Sequence, residues 1–279
     1  MVASGRAWVE QLPPELARQR RLLEGLLKLC ETDDDISWLM IGCSFARGRA
    51  DSLSDLDLAM GVEEEEYDAV RMRVRSAIGD LGDLVDSFHH QFAGLTPPHE
   101  RIFAQFADRS QIDLVVVPAS RSSFGEHSIA LYDPGRCLNL DARQPPATPE
   151  MAREWAFLSC CALADIGKYL RRKSPWEALE RLNEARTHLW RLVALERGIP
   201  DPWYGVTSVL DFAPDQLPAD MTETVSSLDY GRLLSAGRRA ALLLGETGGR
   251  LPEDAREMFP ARMVRYVTED LASLQVQSL

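Results

Sequence analysis

Two aspartates separated by a single residue, Asp55 and Asp57, are the side chains in this sequence best spaced to do chemistry. Side chains of an extended strand alternate between faces, so residues two apart share one face. The spacing predicts both carboxylates on one face, with Leu56 and Leu58 turned the other way into a core. Two carboxylates held this close repel, and one is driven toward its protonated form. A divalent cation removes that penalty, and hard oxygen ligands beside a phosphate-binding loop favour Mg²⁺.

Such a loop precedes the pair. The segment from Gly42 to Leu58 reads GCSFARGRADSLSDLDL. Small residues at Gly42, Ser44 and Gly48 let backbone N–H groups approach phosphate oxygens, and a hydroxyl adds a donor. Arg47 and Arg49 bring positive charge. Gly42, Ser44, Arg47 and Ser54 are the expected nucleotide-binding residues of this segment. A third carboxylate, Asp113, interrupts the apolar run from Ile112 to Val117. A lone charge in such a strand is costly without a partner. If its strand lies beside that of Asp57, three aspartates converge. Such a trio can hold two metal ions roughly 3.5–4 Å apart, the arrangement for in-line phosphoryl or nucleotidyl transfer.

These residues need elements to hold them. Apolar spacing predicts a helix from Pro14 to Glu31, a buried strand over Ile36 to Ile41, and the aspartate strand over Leu56 to Met60. A helix follows from Glu63 to Ile78, with the acidic run Glu63 to Glu66 at its solvated N-terminus. Leu84 to Phe92 reads as a strand, and Arg101 to Phe106 with Gln111 to Val117 as a hairpin. Adjacent residues of a strand face opposite ways, so His89 and His90 are not expected to share a metal. Pro145, Pro146 and Pro149 mark a linker. Beyond it, helical spacing covers Glu150 to Leu170, Pro175 to Arg197, Leu228 to Gly245 and Pro252 to Leu274. The expected class is α+β: residues 1–145 form a mixed-sheet domain with flanking helices, and residues 146–279 form a helical bundle. A cleft between them is the expected pocket.

Composition narrows the partners. The chain has 279 residues and a formal net charge of -12. Proteins that grip a nucleic-acid backbone carry a basic face, so long DNA or RNA is not expected, and a small or cationic substrate is favoured. The five cysteines lack a zinc-ligand spacing, and their odd number argues against a disulfide framework. No run approaches the ~20 apolar residues needed to span a bilayer. The expected setting is cytoplasmic, without membrane contact.

The segment from Ser44 to Asp57 resembles the nucleotidyltransferase superfamily, which includes polymerase β. That family pairs a Gly-Ser loop with Asp-x-Asp and a distal Asp on a later strand. The resemblance implies that Ser44 is the loop serine, Asp55 and Asp57 the metal-binding pair, and Asp113 the third catalytic and metal-binding carboxylate. One position departs from the pattern: Cys43 stands where the family commonly has glycine. A nucleotidyltransferase domain followed by helices is similar to the antibiotic nucleotidyltransferases that modify aminoglycosides and lincosamides. The stretch Lys168-Tyr169-Leu170-Arg171-Arg172-Lys173 resembles their helical domain and implies that Lys168 contacts the triphosphate. The expected reaction transfers a nucleoside monophosphate, with ATP as donor and Mg²⁺ as cofactor, to a hydroxyl of a small acceptor. An aminoglycoside-like cation is the expected acceptor type. The alternatives are nucleotidylation of a protein or RNA target, as in toxin–antitoxin systems, and a catalytically silent nucleotide-binding module. The sequence leaves open the acceptor, the donor base, the general base and the oligomeric state.

Overall fold

The computed structural model describes residues 5–275 except 93, 95–98, 126, 143 and 144. The chain divides into two compact units, Met1–Gln144 and Pro145–Leu279. The fold is α+β, with a mixed six-stranded sheet in the first unit and helices in the second.

The first unit runs α1 (Gly5–Glu10), α2 (Ala17–Thr32), β1 (Ile36–Ile41), α3 (Cys43–Ala46), β2 (Leu56–Val62), α4 (Tyr67–Asp80), β3 (Leu84–Gln91), β4 (Glu100–Phe106), β5 (Gln111–Pro118) and β6 (Ile129–Tyr132). The strand order is β3-β4-β5-β2-β1-β6. Only β2 and β5 run parallel among these neighbours, as α4, β3 and β4 lie between them in sequence. One face of the sheet is dry. Leu39, Ile41, Leu56, Leu58, Ile112 and Leu114 pack there in one buried cluster with Leu22, Leu26 and Leu27 of α2 and Val70, Val74 and Ile78 of α4. The alternation of β2 and β5 therefore behaves as their apolar spacing requires.

A buried charge cluster pins α4 to this face. Glu100 is fully buried on β4 and accepts hydrogen bonds from Arg75 and, at 3.1 Å, from Arg71. Burial alone would raise its pKa, but the two guanidiniums outweigh that cost and hold the carboxyl below its ordinary value.

Among the described residues of this unit, the opposite face is covered on its β1 side. There Trp38, Met40, Ala59 and Val117 form a small cluster against Phe124 and Leu138. The Trp38 indole also donates to the carbonyl of Ala119 at 3.1 Å. The rest of this face carries the polar residues described below.

The second unit runs α5 (Pro149–Arg171), α6 (Pro175–Glu196), α7 (Val206–Phe212), α8 (Tyr230–Arg250), α9 (Glu253–Glu257) and α10 (Ala261–Ser273). Helices α5, α6, α8 and α10 enclose one continuous core that includes Leu163, Ile166, Leu189, Leu192, Leu233, Leu244 and Val267. Thr148 caps α5 by accepting from the Met151 amide at 3.3 Å, and Pro149 occupies the first turn, where its missing N–H costs nothing. Asp229 caps α8 the same way, from Arg232 at 2.9 Å. Among the described residues no helix is long and apolar enough to cross a membrane.

Several elements differ from the sequence reading. The helix expected from Glu63 starts at Tyr67, because β2 continues to Val62 and Glu63 to Glu66 form the exposed connection. The helix expected from Pro252 to Leu274 is broken into α9 and α10 at Phe259-Pro260, where proline cannot continue the hydrogen-bond ladder. The edge strand β6 and the one-turn helix α3 lay in segments with too few periodic residues to predict.

Candidate active site

β2 and β5 are registered so that Asp57 stands directly beside Asp113. Both point away from the dry face, whose neighbouring residues Leu56, Leu58, Ile112 and Leu114 are buried. Asp55 immediately precedes β2, and its charge reaches Asp57. The Asp57 carboxyl is raised to about 6, first by burial and then by Asp55, with Asp113 adding to the effect. The neighbouring carboxylates thus add to the cost of ionising Asp57.

One cation already answers part of it. Arg101 on β4 donates through Nε to one oxygen of Asp113 at 2.7 Å and through an Nη nitrogen to the other. Its charge is also felt by Asp57 and Asp55, and its guanidinium lies over the Phe103 ring, 5.4 Å from the centroid. Arg101 sits on the same face because Phe103 faces Asp113 and Arg101 faces Val115 across the β4–β5 ladder. Sequence reasoning missed this residue. The signal was present as an arginine opening a strand two residues from the position opposite Asp113, but it becomes informative only with the hairpin register.

Asp55 raises the Asp57 carboxyl by repulsion, which a divalent cation on the pair would relieve, so these residues fit Mg²⁺ on charge and donor chemistry. Among the described residues, however, no three carboxylate, imidazole or thiol groups converge as a ready-made cation cage. Asp113 in particular spends both oxygens on Arg101.

The loop between β1 and β2 is tied to the site by its backbone. The Gly42 amide donates to the Asp57 carbonyl at 2.9 Å, which brings the start of α3 beside the carboxylates. Ser44 follows, and among the described residues its buried Oγ has no hydrogen-bond partner. A buried hydroxyl left unpaired is costly, and a ligand oxygen would satisfy it. Arg47 lies near enough for its charge to act on Cys43. Ser54 is placed differently: its hydroxyl serves the loop itself, accepting from the Asp51 amide at 2.9 Å and donating to the Asp51 carboxylate at 3.3 Å. Lys168 lies on α5 in the second unit, where it pairs with Asp165 at 2.5 Å and its ammonium sits over the Tyr169 ring at 4.5 Å. His89 faces Glu100 at 3.3 Å, whereas His90 stacks with Phe88, in keeping with opposite faces.

Cys43 has a left-handed backbone, with φ of 50°. That is the conformation glycine adopts freely and other residues adopt at a cost of ~1–2 kcal/mol. The thiol is pushed up to about 12 by burial of the sulfur and by Asp57, although the residue as a whole is open to solvent. Cys43→Gly is expected to be neutral or to stabilise by up to ~1 kcal/mol, since relief of strain competes with a freer unfolded chain. Chemical denaturation would check it, and a loss above that size would show that the turn depends on the thiol.

No family model matches the chain, and no curated protein matches it in sequence. Among solved structures it is similar to an aminoglycoside 6-adenyltransferase from Bacillus subtilis, at 13% identity and a TM-score of 0.38, over 92% of this chain and 99% of that one. Likeness at that score carries no argument.

Proposed function

We propose that this protein is a metal-dependent nucleotidyltransferase that moves a nucleoside monophosphate, with ATP as the donor, to a hydroxyl of a small acceptor. The observation that carries this reading is the register of Asp57 against Asp113, with Asp55 adjoining and an unpaired Ser44 hydroxyl in the preceding loop. Mg²⁺ would supply charge neutralisation of the triphosphate and of the transition state.

The chain's own residues have distinct tasks in this account. Asp55 and Asp57 hold the cation. Gly42, Ser44, Arg47 and Ser54 belong to the loop that receives the triphosphate, and the unpaired Ser44 Oγ is its best-supported donor. The acceptor oxygen bonds to the α-phosphorus as the bond to pyrophosphate breaks. Asp113 takes the hydroxyl proton or joins in holding metal, and in either case the Arg101 guanidinium must first give up at least one of its oxygens. A guanidinium so released lies beside the carboxylates and could follow the developing negative charge. The acceptor we favour is small, hydroxyl-bearing and cationic, as an aminoglycoside-like compound would be.

The test is pyrophosphate release from ATP and Mg²⁺ across a panel of hydroxyl compounds, with EDTA as control. Metal-dependent release that needs an acceptor supports the proposal, and orthophosphate release or none across the panel overturns it.

Lys168 enters on resemblance, and its pairing with Asp165 gives it a competing role. If it binds triphosphate, Lys168→Ala is expected to raise the KM for ATP by roughly tenfold, the scale of one charge-assisted contact. An unchanged KM and turnover would leave Lys168 as a partner of Asp165 alone.

A further inference from the structure

The sheet face that holds the aspartates continues past them into an exposed row of aromatic rings. Asp57 stands beside Asp113, Asp113 beside Phe103, and Phe103 beside Phe88, in one line from β2 to β3. Phe88 is 67% exposed and Phe103 37% exposed. The His90 ring stacks with Phe88 at 6.4 Å and an interplanar angle of 16°. One row further along the face, Asp86 stands beside Gln105. Large aromatic side chains so open to water gain nothing for the fold, and a cluster of them bordering a carboxylate site marks a binding surface.

In-line displacement says what that surface must meet. The attacking oxygen and the departing pyrophosphate lie on opposite sides of the phosphorus. The loop with the unpaired Ser44 follows β1, and in the sheet β1 lies on one side of β2 while β5, β4 and β3 lie on the other. A triphosphate seated toward Ser44 therefore leaves the β5-β4-β3 side to the acceptor.

We infer that Phe88, Phe103 and His90 form the acceptor platform, on which a ring-bearing hydroxyl compound carrying an ammonium group stacks beside Asp113. This rests on the nucleotidyltransferase reading above and goes further by assigning the acceptor's place and chemistry. The charge follows from the surroundings: Asp55, Asp57, Asp86 and Asp113 share the face, and the Arg101 guanidinium there is committed to Asp113. The rings attract cations, and the Arg101 guanidinium already lies over Phe103. The aliphatic face of a saturated ring fits the same surface. On binding, the acceptor oxygen lies on the Asp113 side of the α-phosphorus, bonds to it as pyrophosphate leaves, and gives its proton to the carboxylate or to water.

The experiment titrates the full chain with neamine, a two-ring aminocyclitol, and with tetra-N-acetylneamine, which keeps the rings and loses the charge. Calorimetry is run on the wild type, Phe88→Ala, Phe103→Ala, Phe88→Tyr and Val85→Ala. Val85 is also exposed, at 64%, but lies at the register shift between Leu84 and Asp86, outside the row of rings, and serves as the control. Neamine is expected to bind the wild type, Val85→Ala and Phe88→Tyr alike, and the two alanine variants about tenfold more weakly, the scale of a lost cation–π contact. The acetylated compound is expected to bind weakly throughout. The assignment is overturned if neamine does not bind the wild type at millimolar concentration, if the alanine variants bind it as well as the wild type, or if acetylation leaves affinity unchanged. A non-hydrolysable analogue, α,β-methylene-ATP with Mg²⁺, is titrated in parallel. Its binding should be the same in every variant, and its failure to bind the wild type would sink the nucleotidyltransferase reading whatever neamine does.

Discussion

Asp57→Asn should abolish nucleotidyl transfer and at the same time make the metal-free protein more stable. Loss of a cation-holding carboxylate removes charge stabilisation of the transition state, on the order of 10³-fold in turnover. The stability gain has the opposite origin. The Asp57 carboxyl is raised to about 6, chiefly by burial and by Asp55. A carboxyl raised above its unfolded value binds protons more tightly in the native state. Native stability therefore falls as pH rises from about 4 through about 6, and levels off above that. The full cost of that rise is about 3 kcal/mol, and partial solvent screening reduces it to about 1–2 kcal/mol. Asparagine carries no such cost, so the variant should melt higher at pH 7.5 and no higher at pH 3.5. Mg²⁺ should raise the melting temperature of the wild type and leave the variant unmoved. Thermal melts at both pH values, with and without Mg²⁺, check all three outcomes. Retained turnover near the wild-type rate would remove Asp57 from the cation site.

Asp113→Asn should cost turnover about 10²-fold or more, the scale of a lost general base. Its effect on stability separates it from a change at its partner. The Arg101 side chain is 46% exposed, so a guanidinium released from Asp113 can be hydrated, and Asp113→Asn should lose only ~1 kcal/mol. Arg101→Met instead strands the Asp113 carboxylate, which is 8% exposed, beside Asp57 without its cation. That variant should lose ~2–3 kcal/mol, because an unpaired buried charge costs more than a missing one. Mg²⁺ should restore part of the loss, since a divalent ion takes over the neutralisation. Urea denaturation of the two variants with and without Mg²⁺ reads the asymmetry. Equal losses would mean that Asp113 is solvated well enough not to need Arg101.

Much of this site follows from short-range rules. The Asp-Leu-Asp-Leu alternation needs only the two-residue period of a strand, and Leu56 and Leu58 are buried on the dry face as that period requires. The isolated charge of Asp113 in an apolar run pointed to a partner; the structure supplies it in Arg101, while the parallel pairing of β2 with β5 brings the Asp57 carboxylate alongside. What the sequence hid depends on long-range register. Arg101 reaches Asp113 because the turn from Phe106 to Ser110 sets Phe103 opposite Asp113, with Arg109 in a left-handed conformation at φ of 73°. A one-residue slip in that turn would have sent Arg101 to the dry face. The exposure of Phe88 is likewise invisible in a list of residues, since an alternating strand with Phe88 reads as half-buried until β3 is known to lie at the sheet edge. The Cys43 backbone hid for another reason: a left-handed residue other than glycine leaves no propensity signal. Pro260 did carry a signal of the break between α9 and α10, which a single helix from Pro252 to Leu274 passed over because the apolar spacing resumes beyond it.

The most direct test of the account follows the α-phosphate itself. The full chain is incubated with ATP labelled at the α-phosphorus, Mg²⁺ and a panel of cationic hydroxyl compounds, and the acceptors are weighed by mass spectrometry. The account predicts an acceptor heavier by one nucleoside monophosphate, carrying the label, with one pyrophosphate released per product and nothing formed by Asp57→Asn. Label that stays in ADP or ATP while phosphate is released, or a labelled acceptor formed equally well by Asp57→Asn, would contradict it.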